Sequence, residues 1–248
     1  EIRSISPAHG PAHGGSTITM TGLNFGPNDA YFGEKLNLQL SEIDGADGKN
    51  WVDCHTTIWV SDTTAKCVTP TGVGTKRQAR GQLSTLTGKG GGGLTYDRPI
   101  LMKLEPNHGP PRGGYQVVVH GSNFGTVRST WVQGKSIVKI DGRDCLATAW
   151  ISDAKVRCTV PPGWSKKRFV DMEEVAGQKA NPKALFSYDR PIVQTVTPNI
   201  APTEFTKGSI VLTIDGDNFG ECGGVANTKT EYCPRPKAFV NGLACLDT

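Results

Sequence analysis

Aromatic residues make up only 7% of the 248 residues and hydrophobic residues 36%, so the chain holds little material for one large core. No stretch carries the i, i+3, i+4, i+7 apolar period, which argues against a helical bundle. No run of about 18 apolar residues occurs, so nothing reads as a membrane-spanning helix and no membrane contact is expected within these residues. No signal peptide opens the chain; Glu1 leads directly into a strand-like segment, which reads as the start of a processed or excised fragment. There is no Asn-x-Ser/Thr sequon and no Cys-x-x-Cys pair, so neither N-glycosylation nor a zinc site is expected. The Gly-x-Ser-x-Gly elbow, the phosphate-binding loop and His-Glu-x-x-His are all missing. Catalysis, a cofactor and a bound metal are therefore not expected. The net charge of +4 is mild for this length and well short of a nucleic-acid-binding footprint.

What is abundant is Gly (31) and Pro (16), the composition of short strands joined by many turns. These residues recur in order. Pro7-Ala8-His9-Gly10-Pro11-Ala12-His13-Gly14-Gly15, followed by Gly22-Leu23-Asn24-Phe25-Gly26, returns as Pro106 to Gly114 with Gly121-Ser122-Asn123-Phe124-Gly125. A looser copy runs from Pro198 to Gly208 and closes with Gly216-Asp217-Asn218-Phe219-Gly220. Ile2–Ile5, Thr17–Thr21, Ile100–Leu104, Tyr115–Val119, Ile192–Val196 and Ile210–Ile214 read as strands. Phe25 is expected to plug the core at its turn.

Cys54 to Cys67 and Cys145 to Cys158 are both thirteen apart. One disulfide per repeat is the reading this spacing favours, stapling neighbouring strands in an oxidising compartment; the alternative is buried free thiols. Cys222 and Cys233 bracket a loop inserted in the third copy and are expected to pair. Cys245 falls where Cys54 and Cys145 fall, and is expected to pair with a residue beyond Thr248, or else to be a free or intermolecular thiol. Trp59-Val60-Ser61-Asp62 and Trp150-Ile151-Ser152-Asp153 occupy one slot, with the tryptophans as core anchors.

Between Gly72 and Gly93 the chain is Gly-rich and basic, and Gly90–Gly93 reads as a flexible tract. Lys76, Arg77 and Arg80 lie here, and Lys166, Lys167 and Arg168 fall at the matching place in the second copy. On a linear array they would recur once per domain and offer an acidic partner, such as a glycan or a neighbouring chain, a repeated foothold. The acidic stretch Ser41–Asn50 reads as a solvated loop. Short hinges, Tyr96-Asp97-Arg98-Pro99-Ile100 and Tyr188-Asp189-Arg190-Pro191-Ile192, separate the copies, and their prolines restrict the joints.

The spacing from Pro7 through Gly22-x-Asn24-Phe25-Gly26 to Cys54, Trp59-Val60-Ser61-Asp62, Cys67 and Pro70 resembles the IPT/TIG family of immunoglobulin-like domains. The resemblance covers two whole repeats and the first half of a third; Ile200-Ala201-Pro202 and Lys207-Gly208 depart from it in the third. It implies an all-β chain of tandem seven-stranded sandwiches at 1–97 and 98–190, with 191–248 the opening part of another. Tandem copies of this kind look like those of large extracellular or cell-surface proteins. The expectation is a non-catalytic structural or adhesive segment contacting other protein chains, copies of itself included, or an acidic glycan. A surface filament, sheath or ciliary hair is among the assemblies this allows. The alternative is the stalk of a plexin-like receptor ectodomain.

Overall fold

The computed structural model describes residues 1–27, 35–41, 50–125, 138–164, 166–172, 175–199, 211–220, 237–240 and 243–245. The acidic stretch expected to be a solvated loop lies almost wholly outside them, as do Cys222 and Cys233. Every element among the described residues is a strand.

The first repeat forms β1 (Ile2–Ser6), β2 (His9–Gly10), β3 (Thr17–Gly22), β4 (Asn37–Ser41), β5 (Trp51–Asp53), β6 (Thr56–Ser61), β7 (Thr64–Val68), β8 (Arg77–Leu83) and β9 (Leu86–Tyr96). One sheet has the order β1-β3-β7-β6 and the other β2-β9-β8-β4-β5. Alternation in β3 sends Ile18 and Met20 inward while Thr17 and Thr21 face water, as a half-buried strand requires. Across the gap these meet Leu38, Leu40, Ala79 and Leu94, with Phe25 sealing one end. This core draws only on residues between Ile2 and Tyr96.

The second repeat follows the same plan with β10 (Ile100–Glu105), β11 (His108–Gly109), β12 (Gln116–Ser122), β13 (Val138–Ile140), β14 (Arg143–Asp144), β15 (Ala147–Ser152), β16 (Lys155–Thr159), β17 (Arg168–Met172), β18 (Asn181–Pro182) and β19 (Leu185–Tyr188). Its sheets run β15-β16-β12-β10-β18 and β11-β19-β17-β13-β14. The third contributes β20 (Ile192–Thr197), β21 (Thr213–Asp217), β22 (Phe239–Val240) and β23 (Leu243–Ala244), as two separate antiparallel pairs.

Register ties the third copy to the others. Each opening strand has a bulge at the matching position, between Ile2 and Ser4, Leu101 and Lys103, and Val193 and Thr195. Each is followed by a cis X-Pro peptide at Pro7, Pro106 and Pro198. Asn24, Asn123 and Asn218 all take positive φ, 61°, 60° and 62°, a region asparagine tolerates better than most residues.

One expectation is overturned. Gly90–Gly93 is not a flexible tract but the middle of the 11-residue strand β9, hydrogen-bonded to β8 in a hairpin. The glycine serves close approach. A Cβ on Gly90 would lie 2.0 Å from the Ile2 carbonyl oxygen, so β9 can cross β1 of the other sheet only without a side chain there.

Candidate functional site

The two most recognisable motifs of each repeat prove to be one structural unit. The Trp59 indole N–H donates to the Gly26 carbonyl (3.0 Å), and the Gly26 N–H donates to Asp62 Oδ1 (3.0 Å). The Phe25 N–H reaches the Asp62 carbonyl (2.9 Å). In the second repeat Trp150 donates to Gly125 (3.1 Å), Gly125 to Asp153 Oδ1 (2.8 Å) and Phe124 to the Asp153 carbonyl (2.9 Å). The turn after β3 or β12 is thus held by the β6–β7 or β15–β16 turn, which fixes the phenylalanine in the core. The tryptophans are half-buried anchors of this clasp rather than members of the fully buried core.

Cys54 bonds to Cys67, and Cys145 to Cys158. The bridges do not join neighbouring strands of one sheet, as the spacing suggested. Cys54 follows β5 in one sheet while Cys67 lies in β7 of the other, so each cross-link spans the sandwich where the chain changes layers. Cys245 is unbonded among the described residues, and its N–H donates to the Ala238 carbonyl. Cys54 and Cys145 make the same contact to Leu38 and Val138, so Cys245 occupies their place.

The basic residues do not act as one group. Arg77 is buried, and its guanidinium donates to the Val73 carbonyl through Nε (2.8 Å) and Nη2 (2.6 Å). Arg80 points to the outer sheet face, where it donates to Gln39 Oε1 and lies 4.5 Å from the Trp51 ring centroid. Lys89, its cross-strand neighbour, is 5.9 Å from the same ring. Two cations over one ring form a cation–π cluster. The Gln39 amide, then the Asn37 amide, and beyond them the Arg80 charge hold the Asp53 carboxyl below the usual carboxylate range. Lys76 and Lys167 are exposed at matching positive-φ corners, and Lys166 is exposed beside the latter. Arg168 lies 3.5 Å from Asp141 Oδ1. In the second repeat a tight Asp141-Gly142 turn replaces the longer β4–β5 connection, no described residue takes the place of Trp51, and the cation–π pair is instead Arg143 over Trp164, 4.1 Å from the ring centroid. Trp51 and Lys89 escaped the sequence reading because neither belongs to the repeat motifs.

Histidines sit at the same end of each sandwich. His9 Nδ1 lies 3.5 Å from Asp97 Oδ1, and His108 Nδ1 lies 2.8 Å from Asp189 Oδ1. Among the described residues no set of three His, Cys, Asp or Glu side chains converges to hold a metal.

The most constrained polar contacts lie between the first two repeats. Asn123 Oδ1 accepts from the Ala12 N–H (3.1 Å) while its Nδ2 donates to the Arg98 carbonyl (3.3 Å). Gln178 sits in a hairpin tip, Val175–Gln178, whose central residues Ala176 and Gly177 both have positive φ, as a two-residue primed turn needs. Its Oε1 accepts from the Gly74 N–H (3.0 Å) and its Nε2 donates to the Tyr96 carbonyl (2.6 Å). One side-chain amide thus continues the main-chain pairing of Gly74 with Tyr96 into the next sandwich. Around it Ala12 and Val73 of the first repeat are buried in the second repeat's core cluster, so the two cores touch through the joint. Gly74 has room for no Cβ, since one would fall 3.0 Å from the Ala176 Cβ and closer still to Arg77. The Ala-Gly pair flanked by Val175 and Gln178 was the available turn signal for this tip, but burial of its glutamine depends on the neighbour.

Solved structures of similar chain path include the plexin A4 extracellular region (18% identity, TM-score 0.33, 80% of this chain and 16% of that one). The Yersinia pseudotuberculosis adhesin InvE is another (12% identity, TM-score 0.39, 80% and 65%), as is SGBP-B of a Bacteroides ovatus mixed-linkage glucan utilization locus in complex with a mixed-linkage heptasaccharide (13% identity, TM-score 0.28, 73% and 45%). The chain spans 16% and 28% of the two plexin A4 structures. The profile of the IPT/TIG domain matches residues 1–96 and again 99–188, and by that double match over most of its length the chain belongs to the IPT/TIG family.

Proposed function

We propose that the chain is a non-catalytic structural and adhesive segment of an extracellular or cell-surface protein: a semi-rigid array with sandwiches at 1–97 and 98–190 and the opening part of a third at 191–248. The observation that carries this reading is the Gln178 amide, buried between the Gly74 N–H and the Tyr96 carbonyl. Leaving a buried donor or acceptor without a partner costs about 1–3 kcal/mol, so the joint resists bending. Cross-sheet disulfides, which persist in oxidising compartments, support a place outside the cytosol. Partners, whether protein chains or an acidic glycan, fall to the faces away from the joint, among them Arg80 and Lys89 around Trp51 and the corners at Lys76, Lys166 and Lys167.

Residual dipolar couplings test the array. In the native chain the two sandwiches should share one alignment tensor. In Gln178→Ala the tensors should separate while each sandwich keeps its own fold. Independent tensors in the native chain would remove the semi-rigid reading.

A further inference from the structure

The joint has a second, open counterpart. On the receiving end of the second sandwich the working parts are Asn123, Phe124 beneath it and the hairpin tip Val175–Gln178. Ala12 and Val73 of the first sandwich fill the space between them. At the far end of the first sandwich, away from this joint, stand the same parts in the same order. They are Asn24, Phe25 and the tip Leu83–Leu86 of the corresponding β8–β9 hairpin. Asn24, Phe25, Leu83 and Leu86, together with Glu1, Ile2 and Leu36, line a cavity of about 210 Å³ that opens to solvent.

Burial separates the filled end from the open one. Asn123 is 8% exposed, whereas Asn24 lies at the surface with the same positive φ. Gln178 is 9% exposed, whereas Leu86, at the matching place, is 72% exposed. Leu86 stands that exposed at the mouth of a cavity with both apolar walls (Ile2, Leu36, Leu83) and a polar rim (Glu1, Asn24), the mixed lining that the filled joint also has. The entry of the chain matches as well. Glu1 corresponds to Ile100, since Ile2 pairs with Gly22 as Leu101 pairs with Gly121. Asn123 Nδ2 takes the carbonyl of Arg98, two residues before Ile100, and Asn218 Nδ2 takes that of Arg190, two residues before Ile192. The asparagine amide therefore reads the hinge that delivers the preceding sandwich.

We propose that the cavity at Asn24, Leu83 and Leu86 is a docking socket for the distal end of another sandwich of this family, joined in line ahead of Glu1 as the first is joined to the second. The occupant presents a small residue whose N–H meets Asn24 Oδ1, a hinge carbonyl for Asn24 Nδ2, and a branched aliphatic side chain in the position of Val73. One difference among the described residues bears on the occupant. Leu86 stands where Gln178 stands, so the occupant meets it with apolar surface instead of an unpaired peptide N–H and carbonyl. The inference extends the array reading to a surface that reading does not use. A mobile joint at residues 97–98 would defeat the array and leave the socket to be judged by its own protection.

The test joins a second copy of residues 1–99, hinge residues Arg98 and Pro99 included, ahead of Glu1 of the full chain, so that the added Arg98 stands two residues before Glu1 as Arg98 stands before Ile100. That added piece carries a complete core and its own disulfide. Hydrogen exchange is then followed at Leu23–Gly26 and Leu83–Leu86 of the receiving sandwich, with the original chain as reference. Docking should slow exchange there by about tenfold or more, in the way burial protects amides elsewhere. Leu86→Asp in the receiving sandwich, a change at an exposed position, should return exchange to the reference rate, and Asn24→Ala should do so in part. Equal exchange in the extended and original chains overturns the proposal. So does protection that Leu86→Asp leaves intact. Protection of the original chain that grows with its concentration overturns the in-line occupant in favour of a second molecule.

Discussion

The first and third repeats share an opening, and their fates differ. Val193, Val196 and Phe219 match Ile2, Ile5 and Phe25 in register, bulge and turn geometry. Yet Phe25 is 2% exposed and Phe219 37%. The local motif is complete in both; the clasp is not. No described residue of the third repeat supplies the tryptophan and aspartate that hold the turn in the first two, nor the facing sheet that would cover β20. A repeat motif therefore sets the path of the backbone, while burial waits for the strands that arrive later in the chain.

Substitution of the turn phenylalanines sharpens this contrast most. Phe124→Ala should cost about 3–5 kcal/mol, the usual loss for a fully buried phenylalanine, whereas Phe219→Ala should cost less than about 1 kcal/mol, as at surface sites. Chemical denaturation of both variants checks this, and a large loss for Phe219→Ala would place it in a core.

The disulfides come next. Cys54–Cys67 and Cys145–Cys158 close loops of the same separation, 13 residues, across equivalent points of two sandwiches. Replacing either pair by serine should lower stability by about 3 kcal/mol, and by similar amounts in the two cases, since loop length sets the chain-entropy share. Calorimetric melting of each double variant measures it. A clear inequality would show that the sandwiches differ in strain or in residual unfolded structure.

The smallest effect lies at high pH. Tyr96 and Tyr188 are matched residues whose hydroxyls donate to the Pro70 and Pro161 carbonyls (2.8 and 2.7 Å). Burial pushes both phenols up to about 12, with Arg77 and Arg143 partly opposing it. A folded pKa raised above the unfolded value of about 10 gives stability that is whole below pH about 10 and drains away as pH rises towards 12. Ultraviolet titration should show both phenols ionising late. Tyr96→Phe should remove one late step and leave the other. Ionisation of both at the ordinary phenol value would mean that the two ends are open to water.

Much of the architecture could be read from the residues, and for local reasons. Ile18 and Met20 alternate with threonines because a strand has a period of two, and the pattern survives wherever one face meets a core. Cysteines recurring at equal spacing pointed to bridges within repeats. Function-bearing contacts were less legible. Lys76, Arg77 and Arg80 look alike in a string of letters, but β8 sends Arg77 inward and Arg80 outward.

The chain alone determined the repeat and the all-β class, because turns and strand periods are written in neighbouring residues, and its equal cysteine spacing favoured the bridges found in the first two copies over buried free thiols. Only the tertiary structure decided that the glycine tract would be a strand, that the disulfides would cross between sheets, and that Gln178 would be buried while Leu86 stays open. Each of those outcomes depends on which surface a distant segment brings within a few ångströms. A buried amide or a missing Cβ acquires its energetic meaning only from that neighbour.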